Sequence, residues 1–367
     1  MIHFLVPAAG AYTMDEYFSL EPPELVRRFR VLRYEELPRQ TRFERGTYVL
    51  AGLDQLSPGM DRLVRFLHDR LHAAEGIRIL NDPARWMGRY DLLRALHASG
   101  RNEFRAFRVT EDLGGLRYPV FLRGERSHDG SFSPLLHSTG ELEQAVGLSL
   151  VQGHPLEDLL VVEFCSTVHP DGLYRKYAAF KVGDRIQARS LNHASQWMVK
   201  FADSEFTREL VLEEQEYVRS NPHTAELAEI FDLAKIDYGQ IDYSFKDGRI
   251  QTWEINLHAT IGRGAGPGGG VGPPELRPLR TETREHFFDR FREAWAAIDL
   301  DAEGKPPIEV RFDRAMVQAA SPPRSRGKWL LDATRAALRP VKPVIAPVAR
   351  RVLRLVGLLA RKKPKRR

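Results

Sequence analysis

The sequence predicts an α/β protein in which a small parallel-sheet domain is followed by a larger region rich in antiparallel hairpins. Two observations carry this prediction. Short apolar runs alternate with helical patterns over residues 1–80, which is typical of a parallel sheet. Farther along, pairs of β-rich runs flank the turn dipeptides Gly183-Asp184 and Asp247-Gly248, which are signals of β-hairpins.

The N-terminal domain, residues 1–80, is expected to contain strands at 2–7, 47–51 and 77–80 and helices at 24–30 and 58–74. No Gly-x-Gly-x-x-Gly sequence follows the first strand, so a dinucleotide site is not expected. Residues 81–298 are predicted to form the larger domain, with 299–323 as a linker and 324–367 as a basic tail. The elements expected in that domain are, in chain order, helix 84–97, strand 117–123, helix 138–146, strand 159–165, hairpin 174–182 with 185–190, helices 207–219 and 224–234, hairpin 240–246 with 249–257, and helix 281–297.

Composition and charge exclude several classes of protein. The 367 residues are 43% hydrophobic and 28% charged, which are globular values, and no run approaches a membrane span. The total charge of +6 includes +14 from residues 324–367, which leaves −8 for residues 1–323. An acidic body gives no support to nucleic-acid binding.

The N-terminus and the cysteine content predict a cytoplasmic location. The apolar start of the chain lacks a cationic lead, and Asp15 and Glu16 follow soon after, which favours a first strand over a signal peptide. The single cysteine, Cys165, excludes an intrachain disulfide and fits a reducing compartment.

The hairpin around Asp247-Gly248 can pair in two registers. A two-residue loop sets Asp242 opposite Trp253 and turns Glu254 to the other face. A three-residue loop over 246–248, with a bulge, sets Asp242 opposite Thr252. We predict the second register, because it alone separates polar from apolar side chains. Its two faces would carry Asp242, Glu254 and Asn256 on one side and Ile241, Trp253 and Ile255 on the other.

Two carboxylates and an amide oxygen on one strand face suit a hard cation such as Mg²⁺, which completes its octahedron with water and phosphate. The alternative is a solvated strand face that carries ordinary acids.

The order of motifs over residues 81–262 resembles the ATP-grasp superfamily, ligases that join a carboxylate to an amine or thiol through an acyl phosphate. The matching pieces are a proline-opened strand ending at Arg123, a loop at 124–134, a strand ending in Glu163-Phe164, an arginine-bearing hairpin at 174–189, and an acid strand with Glu254-Ile255-Asn256.

The resemblance implies an ATP-grasp fold, ATP and Mg²⁺ as cofactors, and carboxylate and amine substrates, either small molecules or peptides. It also assigns roles to residues. Those implied are Arg89, Arg123 and Lys176 at the phosphates, Glu163 and Phe164 at adenine, Asp242, Glu254 and Asn256 at the metal, Arg175 and Arg189 in catalysis, and His258 and Arg263 at the substrate. For Arg175, Lys176, Arg189 and Arg263, a plain solvated charge is the alternative. For Glu163, the alternative is a structural glutamate in a buried strand where two domains join.

Two departures from the family pattern open a second hypothesis. The lysines that the family uses for the nucleotide appear here as Arg89 and Arg123, and the loop after Arg123 has few glycines. A guanidinium keeps the charge but contacts phosphate differently from an ammonium group. The alternative function is therefore a nucleotide-binding or partner-binding protein that has lost turnover.

The tail, residues 324–367, has two interpretations. Residues 348–361 place an apolar stripe beside arginines, a pattern that suits the surface of an anionic membrane and would make the protein peripheral there. The alternative is a disordered, solvated tail.

Overall fold

The computed structural model describes residues 1–128, 130–262, 272–302 and 304–321. Its strands are β1 Ile2–Val6, β2 Phe29–Arg33, β3 Arg42–Phe43, β4 Gly46–Leu50, β5 Ile77–Leu80, β6 Ala106–Arg108, β7 Val120–Gly124, β8 Leu159–Glu163, β9 Tyr174–Val182, β10 Arg185–Ala194, β11 Tyr238–Lys246, β12 Arg249–Asn256 and β13 Ile308–Glu309. Its α-helices are α1 Asp15–Leu20, α2 Pro23–Val26, α3 Pro58–His72, α4 Arg89–Ala98, α5 Thr139–Val151, α6 Arg208–Ser220, α7 Thr224–Ala234, α8 Arg277–Ile298 and α9 Arg314–Ala320.

The predicted parallel sheet is confirmed, with the strand order β2-β1-β4-β5. β1 and β4 are buried along their whole length, as the central strands of a covered parallel sheet must be. The helix predicted at 24–30 is wrong beyond its first turn. The chain leaves α2 and enters β2, because Phe29 packs its ring against Phe18 and Trp295.

The segment predicted as a linker, 299–323, is instead part of the N-terminal unit over its described residues. β13 pairs with β3, and α9 lies against α3. The approach is so close that a side chain on Gly59 would collide with the carbonyl oxygen of Ala319. The residues of α9, which were predicted to be part of a linker, therefore pack against a helix far away in the chain.

Asn81 joins the parallel sheet to the rest of the protein. Its side chain donates to the carbonyl oxygens of Leu50 (3.1 Å) and Tyr238 (2.9 Å) and accepts from the N–H of Asp237 (2.8 Å). The sequence predicted a helix start here, but α4 begins only at Arg89, because the side chain of Asp82 closes a local turn instead. The delay places Arg89 at the first position of α4, facing the small sheet.

Two antiparallel sheets form the remainder of the structure. The smaller has the order β6-β8-β7 and packs against α5. The larger has the order β10-β9-β11-β12, with α6, α7 and α8 on one face. The aromatic core beneath it includes Trp295 and Tyr238, each less than 2% exposed. Both sheets leave one face toward the cleft between them, and this cleft holds the candidate site.

The predicted register of the β11–β12 hairpin is wrong. Its turn has two residues, Asp247 (φ 49°) and Gly248 (φ 74°), both left-handed as a type I′ turn requires. Farther along, a bulge at Trp253 shifts the pairing, so that Asp242 lies opposite Glu254 and not opposite Thr252. Because of the bulge, Asp242, Glu254 and Asn256 still share one face, as the three-residue loop predicted. Trp253 itself leaves the large-sheet core and stacks on Phe104, 4.7 Å between ring centroids.

The residues after the second hairpin are described only in part. Arg263 and the tail at 324–367 lie outside the described residues, so the predictions made for them are untested. Within the described ranges, no helix combines the length and the apolarity that crossing a bilayer requires.

Candidate functional site

A cavity of about 330 Å³ lies between the small and the large antiparallel sheets. One end is largely apolar and aromatic; the other is charged. The apolar end is formed by Phe121, Phe164, Cys165, Trp197, Met198 and Trp253. The charged end is formed by Arg123, His128, Lys176, Lys200, Asp242 and Glu254. Trp197 and Lys200 thus line the same cavity, one at each end.

The acidic face of the β11–β12 hairpin lies at the charged end of the cavity. Asp242 and Glu254 are direct cross-strand neighbours, and Gln240 and Asn256 form the next pair on the same face of the hairpin. Side chains opposite each other in this way are about 5 Å apart at Cβ. Two like charges at that spacing repel each other unless cations lie beside them, and the structure supplies three.

Arg89 and Arg123 are two of these cations, and both contact Glu254. Arg123 lies at the end of β7, where Nη2 donates to Glu254 Oε2 at 2.7 Å, and Nη2 of Arg89 donates to the same oxygen. Both arginine side chains are more than 90% buried. Burial would raise the pKa of Glu254, but the two guanidinium charges outweigh it and hold the pKa well below its ordinary range.

Arg89 also holds the loop after β7 in place. Its Nη1 donates to the carbonyl oxygens of Gly124 (2.5 Å), Glu125 (2.9 Å) and Ser127 (2.8 Å). The Nε atoms of Arg89 and Arg123 are buried and have no hydrogen-bond partner among the described residues. Buried donors without acceptors are rare in folded proteins and mark sites for a ligand or an ordered solvent molecule.

Lys176 is the third cation. Its Nζ lies 3.3 Å from Asp242 Oδ2, while the amide of Gln240 donates to Asp242 Oδ1 at 2.8 Å. Gln240 is a residue that the sequence analysis missed. The signal was available, because Gln240 stands two positions before Asp242 and a strand alternates its faces with a period of two.

Arg189 lies at the bulge of β10 and donates to the Gln240 side chain and to the carbonyl oxygen of Thr260, the latter at 2.6 Å. Arg189 and Asp242 therefore share Gln240 as a partner. Burial lowers the pKa of Arg189. Arg175, although it borders the cavity, is held by two carboxylates, Asp171 (2.8 Å) and Glu213 (2.6 Å), on the other side of β9 from Lys176.

The structure does not bring the Glu163 side chain into the cavity. Its carboxylate binds the guanidinium groups of Arg105 (2.5 Å) and Arg117 (2.7 Å) and accepts the backbone N–H of both residues. Burial would raise the pKa of Glu163, but these bonds outweigh it and lower the pKa to about 2. Phe164, the next residue, does line the apolar end of the cavity and contacts Trp197 edge to face, 5.7 Å between ring centroids.

The last two predicted positions near the cavity are Asn256 and His258. The Asn256 side-chain oxygen accepts the backbone N–H of His258 at 2.9 Å, which fixes the turn after β12. His258 points toward Asp54 and His128 and does not line the cavity. Asp54 was not singled out from the sequence, and no local pattern connects it to residues so far along the chain.

No protein-family model matches the chain, and no curated protein matches it either. Its structure is similar to that of a D-alanine–D-alanine ligase from Bacillus anthracis complexed with ATP, with 11% identity and a TM-score of 0.44 over 81% of this chain and 97% of that one. It is also similar to the D-alanine–D-alanine ligase from Coxiella burnetii (12%, TM-score 0.45, 81% and 96%). A third similar structure is an L-amino acid ligase from Bacillus licheniformis (13%, TM-score 0.36, 70% and 66%). At these identities the similarities concern the fold alone.

Proposed function

We propose that this protein binds ATP with Mg²⁺ and uses it to join a carboxylate to an amine through an acyl phosphate. One observation carries the proposal. Arg89 and Arg123 converge on Glu254, opposite Asp242, and the Nε–H groups of both arginines lack an acceptor among the described residues. The oxygens of a polyphosphate are acceptors of the kind that two planar guanidinium groups bind.

The balance of charge at this end of the cavity supports a polyanion. Asp242 and Glu254 contribute two negative charges, while Arg89, Arg123 and Lys176 contribute three positive ones. Lys200 also borders the cavity. Cations over the phosphates offset the charge of a transferring phosphoryl group, so an excess of positive charge is what such a site needs.

The other end of the cavity supports a planar aromatic ligand. Phe121 and Trp197 pack at 4.9 Å between ring centroids, and Phe164 closes the same corner. The volume of about 330 Å³ lies at the lower end of the range for ligand pockets. We assign adenine to this end, with Phe164 and not Glu163 as its neighbour.

Asp242, Glu254 and Asn256 fit a magnesium site, because all three offer hard oxygen donors on one face of the hairpin. These three residues would hold Mg²⁺, which when bound would supply positive charge to offset the charge of the phosphates. Arg189 would steady the acyl phosphate, Arg175 would keep the neighbouring strand positioned, and His258 with Arg263 would lie on the acceptor side.

The reaction would need no protein nucleophile. The substrate carboxylate attacks the γ-phosphoryl group, ADP leaves, and an amine then displaces phosphate from the acyl phosphate. The residues contribute by positioning and by electrostatic stabilisation, which together account for most of the rate in phosphoryl transfer.

The test is release of ADP by the full chain in the presence of ATP, MgCl₂ and pools of carboxylic acids and amines. We expect release to require both an acid and an amine, and to fall by about 100-fold or more in Glu254→Gln, as loss of a charge-stabilising group does elsewhere. The exposed Glu143→Gln is the matched control and should retain activity. Failure to bind ATP in the presence of MgCl₂, measured by calorimetry, would contradict the proposal.

A second candidate function is nucleotide binding without turnover. The observation that favours it is the shared use of Glu254 Oε2 by two arginines, since these ion pairs compete with a metal ion for the same carboxylate. This function predicts that ATP binds but that none of the pools of acids and amines causes release of ADP. Arg123→Lys separates the two, because the smaller ammonium group would release Glu254 and increase turnover only in an enzyme that the arginine restrains.

A further inference from the structure

Three side chains from distant parts of the chain meet beside the charged end of the cavity. Asp54 follows β4, His128 lies in the loop after β7, and His258 follows β12. One oxygen or nitrogen atom from each lies within 4.8 Å of the other two. We propose that Asp54, His128 and His258 bind one divalent transition-metal ion of the zinc class, at a site separate from the acidic face of the hairpin.

The distances suit such an ion. Asp54 Oδ2 lies 2.9 Å from His128 Nε2, and Asp54 Oδ1 lies 3.8 Å from His258 Nδ1. Metal–ligand bonds of about 2.0–2.2 Å in a tetrahedral site place ligand atoms about 3.4 Å apart. The distance between Asp54 Oδ1 and His258 Nδ1 is close to this value, and the contact of His128 with the other oxygen, Oδ2, keeps the His128 ring beside the same carboxylate. Small movements of the imidazole rings would complete the geometry.

Two of the three ligand atoms lack any other role. Asp54 Oδ1 and His258 Nδ1 are both buried, and neither has a hydrogen-bond partner among the described residues. At 3.8 Å they are too far apart to bond to each other. A carboxylate oxygen and a ring nitrogen that face each other across this gap are arranged as two ligands of one ion.

The surroundings hold the three residues in place. The His258 ring lies against Gly10 and Gly52, where an added Cβ would come within 3.3 Å and 3.4 Å of it. Gln55 donates to the Asp54 carboxylate (2.6 Å) and to the carbonyl oxygen of Arg126 (2.8 Å), and so ties the histidine loop to the parallel-sheet unit. Ligands fixed by their neighbours are a general feature of protein metal sites.

The donor set selects the class of ion. Two imidazole nitrogens and one carboxylate oxygen are ligands of Zn²⁺ and related ions, whereas Mg²⁺ prefers oxygen alone. Three protein ligands leave one position open for water or a substrate atom. Because His128 also lines the cavity, the open position would lie next to the proposed nucleotide site.

The test uses the full chain, stripped with a chelator and free of nucleotide, so its result does not depend on the proposed ligase activity. Zn²⁺ is titrated in competition with a chromophoric chelator. We expect one ion per chain, with affinity at least about 100-fold weaker in His258→Ala and in Asp54→Asn, more than the loss of an outer-shell partner causes. The exposed His137→Ala should bind as the wild type does. The tail, 324–367, contains no histidine or cysteine to confuse the count.

Substitution with Co²⁺ keeps the proposal falsifiable if one variant folds poorly. Tetrahedral Co²⁺ gives intense visible absorption bands, which should appear in the wild type and vanish in variants that circular dichroism shows to be folded. Equal Zn²⁺ affinity of wild type and His258→Ala would overturn the proposal, and so would a folded His258→Ala that keeps the Co²⁺ bands. Absence of Zn²⁺ binding by the wild type would also overturn the proposal and leave Asp54 and His128 as a hydrogen-bonded pair.

Discussion

Two clusters of one glutamate and two arginines lie at opposite ends of the small sheet, and they differ in what they leave open. At one end Glu163 binds Arg105 and Arg117. At the other end Glu254 binds Arg89 and Arg123. The antiparallel pairing of β7 with β8 sets Arg123 opposite Leu160, three residues from Glu163, which is roughly 10 Å along the strand.

The Glu163 cluster is closed. Both carboxylate oxygens are occupied by side-chain and backbone donors, and the pKa of Glu163 is lowered to about 2. In the Glu254 cluster, both arginines share one oxygen, and burial lowers the pKa of Arg123 to about 10, with the Arg89 charge acting in the same direction. A lowered pKa means a favoured charge for an acid and a disfavoured charge for a base. The first cluster thus stabilises the fold, whereas in the second the burial of the Arg123 charge offsets part of what the ion pairs with Glu254 contribute.

The largest effect is expected on stability, from Glu163→Gln. The substitution removes the negative charge that both arginines pair with. It also replaces one carboxylate oxygen by an NH₂ group, whose hydrogens would face the N–H donors of the arginines. Because the arginines are partly exposed and can be hydrated, we expect a loss of about 2–3 kcal/mol, at or below the lower end for breaking a buried ion pair. Urea denaturation measures it, with the exposed Glu143→Gln as control. ATP affinity of the folded variant should not change.

The pH dependence checks that the charge of Glu163 is the cause. Its pKa falls from an ordinary 4.5 to about 2 in the folded protein. A group of this kind contributes stability above its unfolded pKa and loses the contribution as pH falls through the folded one. The difference between wild type and Glu163→Gln should therefore be constant above pH of about 4.5 and shrink toward about pH 2. If the difference in stability stayed the same down to acidic pH, the loss in Glu163→Gln would come from altered packing and not from the missing charge.

The next effect is expected on nucleotide binding, from Arg123→Gln. Removal of one charge-assisted contact to phosphate should weaken ATP binding by about 10- to 100-fold. Stability should change little, because the unfavourable burial of the Arg123 charge and the loss of its ion pair with Glu254 oppose each other, and Arg89 still binds the same oxygen. Calorimetry and urea denaturation report the two quantities.

Arg105→Gln is the matched control and should behave in the opposite way, with lower stability and unchanged ATP affinity. If both arginine variants lose stability equally and neither affects ATP, the contrast between an open and a closed cluster is wrong.

The same contrast shows what the sequence could predict. Strands and most helices followed from apolar periodicity, and the polar face of the hairpin followed from the alternation of Asp242, Glu254 and Asn256. The register did not, because the bulge at Trp253 depends on a tertiary stack with Phe104 that no local pattern reveals.

The remaining site residues could not be predicted, because their partners lie far away in the chain. Glu163 resembled a hinge residue because its strand and its spacing fit the family pattern, yet its arginine partners stand 58 and 46 residues earlier in the chain. Asp54 and His258 likewise meet only through the packing of the parallel sheet against the hairpin. Side-chain roles of this kind depend on contacts between residues far apart in the chain, which composition and spacing do not encode.

The smallest effect is expected from Lys176→Met, which tests whether the open cluster extends to the large sheet. Lys176 is 28% exposed at its side chain and lies 3.3 Å from Asp242. A partly exposed pair contributes about 0.5–1 kcal/mol at most, so stability should hardly change and ATP affinity should fall by less than about tenfold. Lys181→Met, on the same strand but paired with Asp232, is the control for ATP affinity. A larger loss of ATP binding in Lys176→Met than in Arg123→Gln would place the phosphate contacts on β9. The two arginines that bind Glu254 would then have a structural role, like the two different arginines that bind Glu163.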